Sequence, residues 1–169
     1  MKPGIDPTAV IGSDPEWRDF DPATDSSFVP CIHSEARISP FVTVDSGIRH
    51  STMIGKAFLM AHVHVGHDAI IGDGCELAPG SRVGGFAVLE DGVKLGMNAV
   101  VLPKVRVGAG ARIGAGAVVT RDVPAGETWV GVPAESLRSK REASARASAA
   151  IGQLARLDLG GPRIGIDTY

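Results

Sequence analysis

The chain has 169 residues, a formal net charge of −2, 44% apolar and 5% aromatic side chains, and 22 glycines. At roughly 100–200 residues per domain this leaves room for one core with some elaboration, and excludes two catalytic domains. Glycine makes up about 13% of the chain, nearly twice the ordinary ~7%, yet aliphatics are plentiful and no G-X-Y period exists, so neither disorder nor collagen explains it. The glycines must be positional. No basic stripe stands out among the scattered Lys and Arg, which argues against nucleic acid as a partner. Cys31 and Cys75 have neither CxxC nor zinc spacing, so both thiols are expected to be reduced. No apolar leader opens the sequence and no run approaches about 18 apolar residues, so a cytoplasmic protein without membrane contact is expected.

In chain order, Ile5-Asp-Pro-Thr-Ala-Val followed by Ile11-Gly12 reads as the opening coil of a repeat that is clearer downstream. Residues 17–31 interrupt it with aromatic and acidic residues and no period. They read as a loop leaving the body, either a lid over the N-terminal end or a substrate-facing segment. Ile32, Ile38 and Val44 hold another coil, and the register slips between His50 and Leu59.

From Leu59 every sixth residue is aliphatic: Leu59, Val65, Ile71, Leu77, Val83, Leu89, Leu95, Val101, Val107, Ile113 and Val119. Leu, Ile and Val total 39 of 169 residues, so eleven hits in one frame have a chance on the order of one in ten million. Six of the eleven following positions are Gly, and the fifth place of each hexad is small or β-branched, from Val63 and Ala69 to Ala117 and Val123. Period six is neither helical nor alternating. A short strand plus a turn, repeated three times, closes a triangular coil of eighteen residues, with Val65, Val83, Val101 and Val119 in one column and Ile71, Leu89 and Val107 in another. The fold class is all-β, a left-handed parallel β-helix of hexapeptide repeats with a C-terminal α-helix. Residues 1–134 form the β-helix with its loop at 17–31. Residues 135–169 form the helix and tail, the helix being expected over Glu135–Leu157 from its Ala, Arg, Lys and Leu content. Its thin apolar face should pack on the last coil or on a neighbouring subunit.

Chemistry concentrates in His62-Val63-His64-Val65-Gly66-His67-Asp68. With Val63, Val65 and Ala69 inward, the three histidines point outward or lie at corners, as a solvated cluster or as a site. Imidazole suits proton abstraction from a hydroxyl or amine near neutral pH, so base catalysis is the first functional reading. Gly85, one coil beyond His67, leaves a face open to a ligand, and Asp68 can meet the ring only if the chain turns a corner there. A metal site is the rival reading, with His62 and His67 at x4 spacing and His50 or His33 as a third ligand.

The stretch Val65–Leu137, with Gly66-His67-Asp68, unbroken hexads, Arg121-Asp-Val-Pro-Ala-Gly126 and Gly131-Val-Pro-Ala134, resembles the acyl-CoA-dependent hexapeptide-repeat acyltransferases, especially the sialic acid O-acetyltransferase and UDP-amino-sugar N-acetyltransferase group. The resemblance implies a homotrimer with acetyl-CoA as donor substrate in an intersubunit groove and no metal. It also implies a sugar or nucleotide-sugar acceptor, His67 and Asp68 as the catalytic pair, and Gly85, Met97, Ala115 and Gly131 as donor contacts. His64, with His62 beside it, is similar in place to a substrate-binding histidine of the lipid A pathway's UDP-N-acetylglucosamine acyltransferase. Glu76 replaces a donor-contacting histidine, Phe86 falls near another, and no long helical C-terminal domain follows, so acetyl is expected over a long acyl chain. The expected activity is acetyl transfer to a hydroxyl or amine. The alternatives are a γ-class carbonic anhydrase-like metal enzyme, from which His67-Asp68-Ala69 departs, and a non-catalytic β-helix scaffold.

Overall fold

The computed structural model describes residues 4–13 and 28–154. Most of the expected loop at 17–31, and everything after Leu154, lie outside the described residues. The described strands form three sheets of eight, six and five strands, parallel except for the last strand of the eight-stranded sheet, the faces of a triangular coil. The first face carries, among others, Phe58–Leu59, Glu76–Leu77, Lys94–Leu95 and Arg112–Ile113. The second carries Thr43–Asp45, His64–Val65, Arg82–Val83, Val100–Val101 and Val118–Val119. The third carries Met53–Ile54, Ile70–Ile71, Val88–Leu89 and Arg106–Val107.

Most strands have only two residues because each hexad spends the rest on its corner. The register follows the expected columns: Val65 pairs with Val83, Val83 with Val101 and Val101 with Val119, while Ile71 pairs with Leu89 and Leu89 with Val107. Backbone bonds tie coil to coil, as from His64 N–H to the Ser81 carbonyl at 3.0 Å and from Gly66 N–H to that of Val83 at 2.8 Å. All eleven aliphatic positions and all eleven fifth places are buried. Burial of each large aliphatic contributes about 1.5–3 kcal/mol, and the column repeats that gain at every coil. The last coil is shorter. Ile113 pairs with Trp129, and Val123 bridges to Val107, so Val123 fills a place in the large-residue column and not in the small one the repeat assigned to it.

The register slip has a definite location. Val44 to Ile54 spans ten residues where the repeat has six, with the four extra residues at the corner between the second and third faces, and Ile54 to Leu59 spans five, so the net offset is three. Gly47–His50 turns there so tightly that a Cβ on Gly47 would collide with the His50 carbonyl, which a side chain at this position could not tolerate. Phe28 and Gly47 exchange backbone hydrogen bonds of 2.8 Å, so the expected loop has already ended by Phe28.

The chain divides into two compact units after Leu137. Glu135–Ser136 pairs antiparallel with Trp129–Val130, so the helix begins two residues later than expected, at Leu137, and is described to Leu154. None of its residues is buried, and Ile151 and Leu154 are exposed. No helix among the described residues is long and apolar enough to cross a membrane. Cys31 is exposed and Cys75 buried, neither in a disulfide, and burial pushes the Cys75 thiol up to about 11.

Candidate active site

His67 and Asp68 occupy the corner between the second and third faces. Adjacent residues of a straight strand point to opposite sides, but Asp68 has a φ of 57°, and this left-handed turn brings its carboxylate back to the ring. Asp68 Oδ2 accepts from His67 Nδ1 at 2.9 Å and from Ile48 N–H at 2.8 Å. Oδ1 accepts from the N–H groups of Arg49 and His50, both at 2.7 Å. Asp68 is 1% exposed. Burial works against its charge, but the hydrogen bonds from Ile48, His50, His67 and Arg49 outweigh it and hold the carboxyl below the ordinary 3.8. An ionised carboxylate only accepts, so Nδ1 carries the proton and Nε2 of the neutral ring carries the lone pair.

The ring is confined as well as oriented. Phe86 meets it edge-on, with centroids 5.1 Å apart and planes at 87°. A Cβ on Gly85 would lie 2.5 Å from His67 Nε2, so the bare surface expected at Gly85 is covered by the imidazole itself. A cavity of about 370 Å³ opens beside it, lined by Asp45, His64, Gly66, His67, Gly85, Phe86, Pro103 and Lys104. His64 Nδ1 lies 2.9 Å from Thr43 Oγ1 and its Nε2 3.9 Å from Asp45 Oδ2. Asp45 is buried and takes a 2.8 Å bond from Ser13 Oγ. The cavity therefore presents two imidazoles, with Asp68 behind that of His67 and Asp45 on the cavity wall near that of His64.

The other expected residues lie elsewhere. His62 is at the corner between the first and second faces, stacked on Phe41 with centroids 5.0 Å apart, and does not line the His67 cavity. Met97 and Ala115 stand one and two coils on from Pro79 at that same corner, both exposed, while Gly131 lies in the closing turn with a φ of 95°. Only Gly85 of the four expected donor contacts is beside His67. Among the described residues no three His, Cys, Asp or Glu side chains gather as a metal-binding group, so one chain does not assemble the three-imidazole set. Asp45, Thr43, Arg49 and Lys104 were not found from the sequence. Thr43 pairs with His64 across 21 residues, three more than a regular coil, and this offset hides the relation that brings Asp45 near His64.

The coils make this a hexapeptide-repeat parallel β-helix with a His-Asp pair at an outer corner. The profile of the bacterial transferase hexapeptide (six repeats) matches residues 50–85 and 86–121. The chain is 33% identical over 109 residues to a UDP-3-O-acylglucosamine N-acyltransferase of Methylorubrum extorquens, covering 64% of this chain and 31% of that protein. It is 43% identical over 61 residues to a GDP-perosamine N-acetyltransferase of Escherichia coli O157:H7, covering 36% and 26%. The fold superposes on a UDP-N-acetylglucosamine acyltransferase of Bacteroides fragilis with a TM-score of 0.74 at 28% identity, covering 78% of this chain and 52% of that one. The chain thus spans about a third of the length of the first of these curated relatives. Residues 50–121 thus match the hexapeptide repeat of that transferase family, and the coil is a left-handed parallel β-helix like those of the acyltransferase structures it superposes on.

Proposed function

We propose that the protein is an acyltransferase that moves an acetyl group from acetyl-CoA to a hydroxyl or amine of a sugar or nucleotide-sugar acceptor. The observation that carries this reading is the Asp68-held imidazole of His67 in a cavity that His64 also lines. The acceptor's oxygen or nitrogen attacks the thioester carbonyl, its new bond to carbon forms as the C–S bond breaks, and its proton passes to His67 Nε2 and then to the departing thiolate. A positioned base of this kind contributes about 10²–10⁴-fold. Asp68 acts as a positioning residue, holding the tautomer that leaves the lone pair on Nε2. The named activities of the relatives, acyl and acetyl transfer to nucleotide-linked sugars, support the reaction class, and the acetyltransferase among them supports acetyl as the group moved.

A homotrimer is part of the proposal. His67 with Gly85, and Met97 with Ala115, occupy different edges of one prism, so a single extended donor touches both sets only where unlike edges of two subunits face each other. Such head-to-tail contacts close into a ring. The test is to incubate the purified protein with acetyl-CoA and a panel of amino sugars, free and nucleotide-linked, and to follow acceptor mass. Gain of one acetyl group on an acceptor supports the reading. No gain on any acceptor, with no CoA binding by calorimetry, removes it in favour of a scaffold.

A further inference from the structure

We propose that Arg49 and Lys104 form an anion-binding lip beside the His67 cavity, and that the lip holds the diphosphate of a bound substrate. The choice of substrate rests on the transferase reading above, whereas the anion site itself does not. A second cavity, of about 300 Å³, is lined by Ile48, Arg49, Phe86 and Lys104, and it shares Phe86 and Lys104 with the His67 cavity. A molecule filling one can therefore continue into the other past the Phe86 ring.

The four-residue insertion at this corner delivers Arg49. The amides of Ile48, Arg49 and His50 all donate to Asp68, so the carboxylate that orients the imidazole also fixes the backbone that carries the guanidinium. That guanidinium lies over the Phe86 ring at 5.7 Å. No carboxylate among the described residues forms an ion pair with Arg49 or Lys104, whereas Lys56, Lys94 and Arg106 each have one. Both oxygens of Asp68 are occupied by donors, and Asp45 accepts from Ser13 and lies near His64. Lys104 also holds a left-handed backbone, with a φ of 66°, a conformation in which glycine meets no penalty. Backbone geometry therefore favours glycine at 104, and the lysine is there for its side chain. A guanidinium fork, an ammonium and an aromatic face together suit a phosphate ester better than a lone carboxylate. The diphosphate could come from a nucleotide-linked acceptor or from the CoA donor.

Calorimetric titration of the full chain with inorganic pyrophosphate, UDP and CoA, at low salt, tests the lip without turnover. Pyrophosphate is expected to bind, with about tenfold weaker affinity in Arg49→Gln and again in Lys104→Gly. Lys104→Gly should melt no lower than the parent, which separates lost binding from lost fold. Whichever of UDP and CoA loses affinity in the double variant identifies the source of the diphosphate. Pyrophosphate failing to bind the parent, or binding the double variant equally well, overturns the lip. Weakened pyrophosphate binding with UDP and CoA unchanged overturns its assignment to a substrate. His67→Ala should leave pyrophosphate affinity intact, so a failed base assignment and a failed lip are told apart.

Discussion

At the corner that closes the third face, the left-handed turn residue is glycine in four successive coils, Gly74, Gly92, Gly110 and Gly126. At the corner carrying His67 the equivalent place is taken by Asp68, Phe86 and Lys104, with φ values of 57°, 60° and 66°. An L side chain in this conformation costs about 1–2 kcal/mol, so the two edges differ in what offsets that cost. At the glycine edge there is nothing to offset. At the other edge Asp68 has four hydrogen bonds and Phe86 has the imidazole it packs against, while Lys104 has no ion pair among the described residues. The difference separates an edge that only turns the chain from an edge that holds side chains in place, and it falls where the cavities are.

The largest effect that would sharpen this comparison is expected for Asp68→Ala. It strands the three amide donors of Ile48, Arg49 and His50 and releases the imidazole, and should cost about 2–3 kcal/mol in urea unfolding, with a rate loss of about 10²-fold or greater. Unchanged stability would mean that Asp68 does not hold Ile48–His50 in place. Gly85→Ala comes next: its new Cβ must displace the His67 ring, so activity should fall more than tenfold with a stability cost of about 1–3 kcal/mol. The carboxylate also gives an acid signature. Because Asp68 ionises more readily folded than its ordinary 3.8, its contribution is complete above about pH 4 and is lost as pH falls through the depressed value. His67 and His50 are the titratable groups facing it. Acid unfolding curves of the parent and of Asp68→Ala should converge at low pH and separate above it, and parallel curves would contradict the assignment. The smallest effects have opposite signs at the two edges. Gly92→Ala, with no steric neighbour closer than 3.8 Å, should lower stability by about 1 kcal/mol, whereas Lys104→Gly should leave it unchanged or raise it by a similar amount. Equal responses in thermal melts would erase the distinction between the edges.

The scaffold was legible because its signal is periodic. Each inward position from Leu59 to Val119 could be read from one spacing, and Val123 moved only because the last coil is shorter than the period assumes. His67 was legible because its place in the hexad fixed it outside the core, and its contact with Asp68 followed once a corner was required there. Aperiodic parts were not legible. Arg49 belongs to an insertion with no repeat signal, and its relation to Phe86 depends on a turn fixed by a carboxylate about twenty residues later. Asp45 and Thr43 reach His64 across the same insertion. Met97 and Ala115 lie 30 and 48 residues from His67, neither a multiple of the eighteen-residue coil, so the spacing already puts them on a different edge, whereas the resemblance groups them with Gly85. The C-terminal helix began late because Glu135 and Ser136 are used to pair with Trp129 and Val130, a tertiary demand that helix propensity does not contain.

The most direct measurement is the steady-state rate of acetyl transfer by His67→Ala, alongside its CoA affinity and its sedimentation mass. The account predicts a fall in kcat of about 10²–10⁴-fold with donor binding and assembly preserved. Transfer at the parent rate would contradict it, because the proton would then have to leave the acceptor by a route that does not pass through this imidazole.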